Sequence, residues 1–382
     1  MPSICLSAGD PSGDAHAARL VDTLKRLDPS LRFAGLGGEP MKAAGVKLLS
    51  DLTQAASIGP FDASRHLGRF ADARRHLLNH LATARPELVI LVDFGDFNLP
   101  VIAPLAKRYG ARVVYFISPQ LWAWGRFRLH WVRRYVDHLI VLFPFEEAFY
   151  RKMGIAATWV GHPLVEHAKP SMPREQAQSR LGVNAWRKTV GLLPGSRRQE
   201  IARHLPIMLK AAQAVAWRMP GVQFLVPKAP HVPADAFACL DRAHGLDIIT
   251  AEDQMYDCLH VMDAALVASG TATLDCAMLE VPMAVVYRTS LPTYLAAKTV
   301  VRVPRIAMVN LIAQREVVRE FVQWGARPSA IADELIDLLN DEGKRDAMRE
   351  ALRGVKAALG EPGAIDRAAR VVLSELQQKV HA

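Results

Sequence analysis

At 382 residues the chain exceeds what one ordinary hydrophobic core organises and fits two domains of common size. With 51% hydrophobic residues and a mean hydropathy of +0.08, it reads neither as a disordered chain nor as an ordinary integral membrane protein. The net charge of +9, from 47 basic and 38 acidic residues, suits nucleic acid, an anionic lipid surface or a phosphorylated substrate, and does not choose among them.

In chain order, "MPSICLSAGD" is a short apolar run ended by glycine and aspartate, with no basic leader and no cleavage-like site. It predicts a first strand and a cytoplasmic protein. A helical pattern follows from Ala15 to Leu27, then "RFAGLGG", then a long helical region to about Ala84. The runs "ELVILVD", "RVVYFIS" and "HLIVLF" complete the alternation of a parallel α/β sheet. A polar, proline-bearing stretch from Gly161 to about Asn184 reads as a linker. After it the alternation restarts with "TVGLLPGS", "VQFLVP", "LDIIT", "AALVASG" and "MAVVYR". Two doubly wound, Rossmann-like domains are expected, 1–168 and 185–356, with a helical tail over about 357–382. Such sheets bind ligands outside the carboxyl ends of their strands, so a tandem pair predicts a cleft between two sets of strand-end loops.

Cys5, Cys239, Cys258 and Cys276 form no CxxC pair and lie mostly in apolar stretches, so they read as buried thiols. The most apolar long stretch, Ala264 to Tyr287, contains Asp275, Glu280 and Pro282, which is unfavourable for a membrane span. The histidines show no metal-ligand spacing, and His162 in "GHPL" reads as a hinge residue.

Each polar motif sits directly after a predicted strand. "SAGDPSGD", residues 7–14, is a glycine-rich turn in which Gly9 and Gly13 let backbone approach a ligand. Asp10, Ser12 and Asp14 stand nearby, with Ser12 or Asp14 either capping the helix or facing substrate. It lacks the lysine of a phosphate-binding P-loop. "LVILVDFGDFN" runs an apolar strand into Asp93, Asp96 and Asn98. A carboxylate at a strand tip in a closed cleft can take the proton from an attacking hydroxyl, which makes Asp93 the candidate base and Asp96 a turn residue.

"FISPQLWAWGRFRLHWVRRYV" interleaves Trp122, Trp124, Phe127, Trp131 and Tyr135 with Arg126, Arg128, Arg133 and Arg134. It suits base stacking, an anionic membrane or acylated substrate, or a core helix with snorkelling arginines. No nucleic-acid-binding signature accompanies it.

"GLLPGSRRQEIARHLP", 191–206, places Arg197 and Arg198 at a helix start, where positive charge is least welcome and an anion is favoured. A ligand with at least two negative charges follows, phosphate first. "ALVASGTATLD" offers small residues and amides at Ser269, Gly270 and Thr271 for a diphosphate. Asp275 reads either as a partner for a ribose diol or as a favourable first-turn acid.

Together with "ISPQLWAW", "FPFEEAFY", "VGHPL" and "PMAVVYR", these motifs stand in one order over nearly the whole length, and the chain thereby resembles the lipid-A-disaccharide synthase family. The resemblance implies a GT-B glycosyltransferase that moves 2,3-diacylglucosamine from UDP to the 6-hydroxyl of 2,3-diacylglucosamine 1-phosphate (lipid X), with inversion and no cofactor or metal. It implies Asp93 as base, with substrate and nucleotide contacts at Gly9, Asp10, Ser12, Gly13, Asp14, Asn98, Ser118, Trp122, Gly195, Ser196, Arg197, Ser269, Gly270, Thr271, Ala272, Asp275, Arg288 and Asn310. It further implies peripheral attachment to the inner membrane of a Gram-negative bacterium, no nucleic-acid partner, and leaves room for a homo-oligomer. The tail helices of such enzymes commonly return to the first domain. The chain departs from the family's usual pattern at Asp10 and Asp275, where glutamate is usual, at Gln314 for glycine, at Arg319 for a frequent proline, and in the more polar segment 57–67. Those departures leave open a paralogue with another UDP-sugar or acceptor, a non-hydrolysing UDP-sugar epimerase, or a binding protein at the membrane.

Overall fold

The computed structural model describes residues 2–53, 63–123, 125–230, 232–300 and 305–380. Trp124 and residues 57–62, singled out above, lie outside the described residues. The chain forms two compact units, one of residues 1–163 with 359–382 and the other of residues 164–358.

Among the described residues the first unit holds seven parallel strands: β1 (Ser3–Ala8), β2 (Arg32–Gly37), β3 (Lys47–Asp51), β4 (Leu88–Val92), β5 (Arg112–Phe116), β6 (His138–Val141) and β7 (Ala157–Trp159), in the order β3-β2-β1-β4-β5-β6-β7. β4 is buried throughout, which is why its sequence is continuously apolar rather than alternating. One core groups Cys5, Val89, Leu91, Val113, Tyr115 and Leu139 with Leu77 and Leu81 of the helix Ala63–Ala84. The helix Ala364–Val380 belongs to this unit. Its Glu375 receives Arg112 Nε at 2.5 Å and lies 3.2 Å from His138 Nδ1, and its Arg367 donates to the Val160 carbonyl at 2.7 Å.

The second unit holds six parallel strands among its described residues: β8 (Thr189–Leu193), β9 (Gln223–Lys228), β10 (Ile248–Glu252), β11 (Ala264–Ala268), β12 (Met283–Tyr287) and β13 (Glu320–Val322), ordered β10-β9-β8-β11-β12-β13. Both sheets reverse direction of winding once, between β1 and β4 in the first and between β8 and β11 in the second. Those are the places where an open α/β sheet leaves a crevice at its carboxyl edge.

Three strands escape the sequence pattern. β3 lies inside the region read as helix to Ala84, whose described residues include the helices Glu39–Ala43 and Ala63–Ala84; β7 and β13 are three residues long. All three are outer strands with one neighbour, so short, part-exposed runs suffice. The supposed linker from Gly161 to Asn184 is also corrected. Its helix Arg174–Leu181 is integral to the second unit, tied down by Ser171 on Asp257 (2.6 and 2.7 Å) and by Arg174 on the carbonyl of His260 (2.6 Å). Of the cysteines, Cys5, Cys258 and Cys276 are buried, whereas Cys239 is only half-buried.

Gln314 adopts φ +55°, a left-handed conformation that costs an L side chain about 1–2 kcal/mol and glycine almost nothing. Gln314→Gly is therefore expected to stabilise the second unit by about 0.5–1 kcal/mol, the relief of strain being partly offset by the freer unfolded chain. Urea denaturation measures it, and an unchanged or lowered midpoint would contradict the strain assignment.

Candidate functional site

In the first unit the switch point is lined by the loops after β1 and β4. Asp10 caps the helix Pro11–Leu27 by accepting from Gly13 N at 3.3 Å, so the cap is this residue rather than Ser12 or Asp14. Ser12 is exposed on the first turn. Asp14 is 1% exposed and accepts from Gly38 N at 2.9 Å, so it fastens the turn after β2. Burial raises its carboxyl pKa, against the pull of the Gly38 and Met41 amides. Gly9 is required by close approach: a Cβ there would lie 2.1 Å from Cδ1 of Phe94. That ring closes the crevice from the β4 side and packs with Phe70 and Phe97.

The β4 tip is strained. Asp93 has φ +44° and Phe94 φ +51°, and next to them Ile117, β-branched, has φ +61° at the end of β5. Left-handed conformations are rare for phenylalanine and isoleucine, and such strain persists only where surroundings over-determine it. Here they do. The Asp93 carbonyl accepts from Tyr115 Oη at 2.5 Å and Asn98 Nδ2 at 2.8 Å, its N–H donates to Phe116 at 3.2 Å, and its carboxylate accepts from Phe94 N at 2.8 Å. The half-buried carboxylate is thus presented at the carboxyl edge. Asp96, mostly exposed, pairs with Arg128 at 2.5 Å.

Asn98 departs from its expected role. It is fully buried, donating to the carbonyls of Ser7, Val92 and Asp93 and accepting from Ser7 Oγ at 2.7 Å. It staples β1 to the β4 tip and positions Asp93. Trp122 likewise is 8% exposed, and its indole N–H, the ring's one polar donor, goes to Glu146 Oε1 at 3.0 Å. It forms a wall, with Phe145 edge-on at 4.8 Å, rather than a polar contact for a ligand. Ser118 is buried against Glu146 and Tyr150. Three arginines of this segment lie over aromatic rings, Arg126 on Phe149, Arg128 on Phe127 and Arg134 on Tyr135, the arrangement of cation–π packing, and Arg133 donates to the Met153 carbonyl at 3.1 Å.

Glu146 went unnoticed in the sequence because an acid in the first turn of a helix, here Pro144–Lys152, needs no further reason. It is 3% exposed, and burial pushes its carboxyl up to about 7, opposed by hydrogen bonds from Trp122 and Phe143. The folded value lies above the unfolded one, so its contribution to stability is fully present below about pH 4.5 and is lost as pH rises through about 7. His162, which burial drives down to about 3, and buried His204 act oppositely, losing stability as pH falls below the usual histidine range. The diagnostic quantity is consequently a difference. Between pH 5 and 8 wild type is expected to lose about 2 kcal/mol relative to Glu146→Gln; parallel stability–pH curves would rule this out.

In the second unit the loops after β8 and β11 flank the switch point. Gly195, at φ +115°, turns the chain into the helix Arg198–Arg218, whose N-cap is Arg197. Glu200 folds back on this end, accepting from Ser196 N at 3.1 Å and Arg197 Nη1 at 3.3 Å. A carboxylate thus already engages donors of the kind a phosphate uses at a helix start. Arg198 does not join Arg197: its guanidinium is bidentate on Asp235 at 2.8 and 2.5 Å.

Across the crevice, Ser269 donates to the Ile306 carbonyl at 2.9 Å, Gly270 and Thr271 are exposed, and Ala272 opens the helix Ala272–Met278. Burial pushes the Asp275 carboxyl to about 6, and Tyr256 Oη lies 3.1 Å from it. Buried His204 links the two sides: its Nδ1 meets the Pro194 carbonyl and its Nε2 accepts from Arg288 N, both at 3.1 Å. These partners fix a neutral tautomer, in keeping with the lowered pKa that burial gives it. The Arg288 side chain is exposed at the same edge. Asn310 is again corrected. It is fully buried, donating to Val318 and Glu320 and accepting from Val317 N and Val318 N, and it shapes the loop carrying Gln314.

Among the described residues no group of three His, Cys, Asp or Glu side chains is placed to hold a metal, and no helix is long and apolar enough to cross a membrane.

The chain matches the family described as lipid-A-disaccharide synthetase over residues 4–370. It is 40% identical to a lipid-A-disaccharide synthase of Geobacter sulfurreducens over 99% of this chain and 98% of the relative. It is 38% identical to that of Nitrosococcus oceani, over 94% and 92%. Among solved structures it is similar to S. aureus MnaA with UDP (TM-score 0.68, 12% identity, 99% and 97% covered) and to the calicheamicin glycosyltransferase CalG4 (TM-score 0.60, 16% identity, 99% and 98% covered). The two parallel-sheet units and these neighbours give the fold as GT-B.

Proposed function

The chain belongs to the lipid-A-disaccharide synthase family, and from that premise we propose that its two switch points divide one transfer, the first unit activating the acceptor and the second holding UDP. The protein is a hexosyltransferase that forms the lipid A disaccharide. Its relatives at 35–40% identity over nearly the whole chain are synthases, and likeness to UDP-N-acetylglucosamine 2-epimerases near 12% identity speaks for the fold alone, so the epimerase reading is not favoured.

In the proposed reaction the donor is UDP-2,3-diacylglucosamine and the acceptor 2,3-diacylglucosamine 1-phosphate. The acceptor 6-oxygen forms a bond to the donor anomeric carbon from the face opposite UDP, the bond from that carbon to the β-phosphate oxygen breaks, and the hydroxyl proton passes to Asp93. The product is a β-1,6-linked disaccharide 1-phosphate. Charge develops on UDP as it leaves. Arg197 and Ser196 N exchange Glu200 for the diphosphate, where hydrogen bonding and the helix end favour the departing anion. Ser269, Gly270, Thr271 and Ala272 face it from the β11 loop, and Asp275 with Tyr256 lies one turn further in, suited to a ribose diol. With acylated substrates, the protein acts as a peripheral protein of the inner membrane's cytoplasmic face.

The observation that carries the reading is the strained, fourfold-restrained presentation of Asp93 at a topological switch point. Incubation of purified protein with donor and acceptor, followed by mass spectrometry, tests it. A disaccharide 1-phosphate with an equal amount of UDP is expected. An isomerised UDP-sugar, or transfer to another acceptor only, would refute it.

A further inference from the structure

The carboxyl edge of the second sheet ends in an apolar surface that the proposed transfer does not use. Leu291 and Leu295 of the helix Leu291–Val300 are each 54% exposed, and Trp324, just beyond β13, is 67% exposed. Leu291, Tyr294 and Leu295 share one helix face by their spacing, and Tyr294 meets the Trp324 ring edge-on at 5.2 Å, which joins them into a single patch. A cluster of large side chains in water marks an interaction surface rather than chance exposure. The chain around it is basic in sequence. From Val281 to Arg315 the chain carries Arg288, Lys298, Arg302, Arg305 and Arg315 and no aspartate or glutamate. Of the acids that follow, Glu316 is exposed and Glu320, in β13, is turned inward, accepting from Ile306 N, Ala307 N and Asn310.

Leucines beside a tryptophan and tyrosine, in a chain segment from 281 to 315 whose charged residues are all basic, match an anionic bilayer surface: apolar groups enter the acyl boundary, aromatic rings sit at headgroup depth and the cations meet lipid phosphates. From this complementarity we infer that Leu291, Leu295 and Trp324 dock the second unit on an anionic lipid surface. The inference rests on the acylated-substrate reading and adds which surface meets the lipid. The patch follows β12 and β13, on the same sheet edge as the Ser269–Asp275 loop, so docking there sets the proposed UDP site at the bilayer face, where an acylated donor resides.

Vesicle co-sedimentation of the full chain tests it. Wild type is expected to bind phosphatidylethanolamine–phosphatidylglycerol vesicles, less so as salt rises, and to bind phosphatidylcholine vesicles weakly. The triple variant Leu291→Ser, Leu295→Ser, Trp324→Ser is expected to bind the anionic vesicles at least about tenfold more weakly. UDP calorimetry confirms its fold, and Trp324→Phe, a milder change, is expected to lose part of the vesicle-induced blue shift of fluorescence. Equal partitioning of wild type and the triple variant overturns the inference. So does light scattering that shows self-association abolished by the same substitutions without any vesicle binding, which would make a second copy the occupant. Turnover in detergent micelles separates the two readings: disaccharide formation there with no effect of the triple variant on vesicle binding leaves the transferase and removes the docking surface. Vesicle binding lost in the variant, with no disaccharide from wild type, does the reverse.

Discussion

Asp93→Asn is expected to reduce disaccharide formation by about 10²–10⁴-fold while leaving UDP affinity unchanged, because a neutral amide cannot accept the acceptor's proton. The substitution is nearly isosteric, and its amide oxygen still accepts from Phe94 N, as the carboxylate does at 2.8 Å. Its backbone restraints, from Tyr115, Asn98 and Phe116, do not involve the side chain. Asparagine also tolerates positive φ about as well as aspartate, so φ +44° is no obstacle. A loss of rate without loss of stability is therefore the outcome that identifies a base. Wild-type turnover in the variant would remove Asp93 from the chemistry, and a large drop in melting temperature would recast it as structural. The pair of measurements to make is single-turnover rate and UDP calorimetry.

The second large effect belongs to a residue that should never touch substrate. Asn98→Ala removes two N–H donors that reach the carbonyls of Ser7, Val92 and Asp93, and an acceptor for Ser7 Oγ, all in a site closed to water. Buried polar groups left without partners cost about 1–3 kcal/mol each, so a loss of about 3 kcal/mol is expected, or roughly 6–12 °C in melting temperature. Turnover should fall even well below that temperature, since the left-handed turn at Asp93 loses one of its restraints. Asn98→Asp sharpens the test: it keeps the shape but sets a carboxylate against three carbonyl oxygens, and should be at least as damaging at neutral pH. If aspartate were tolerated and alanine not, packing rather than hydrogen bonding would be the cause.

Much of the fold was legible because buried parallel strands are written in continuous apolar residues. "LVILV" and "AALVA" admit few other readings, and the polar residues that interrupt them mark both crevices. Outer strands such as "ATW" and "EFV" carry no such signature, being short and paired on one side. At the sites, what sequence cannot supply is the partner. Asn98 and Asn310 look like ligand contacts because polar residues near strand tips often are. Only Ser7, 91 positions before Asn98, and Glu320, ten after Asn310, reveal them as internal fasteners. Glu146 errs the other way: next to two phenylalanines it passes for an ordinary helix start, and nothing local shows that Trp122, 24 residues earlier, buries it. Arg197 and Arg198, identical and adjacent, part because Asp235 lies within reach of one and Glu200 of the other.

The return of the helix Ala364–Val380 to the first sheet has a consequence for how the protein comes into being on the ribosome. Its Glu375 lies against Arg112 and His138, so the amino-terminal unit lacks part of its own packing until residues 364–380 emerge. Residues 164–358 must be synthesised in between, on the order of ten to forty seconds at ordinary elongation rates. Throughout that interval the sheet surface around β5 and β6 waits uncovered, a nascent-chain state in need of protection, while the carboxyl-terminal unit has all of its own residues before the amino-terminal unit has its last.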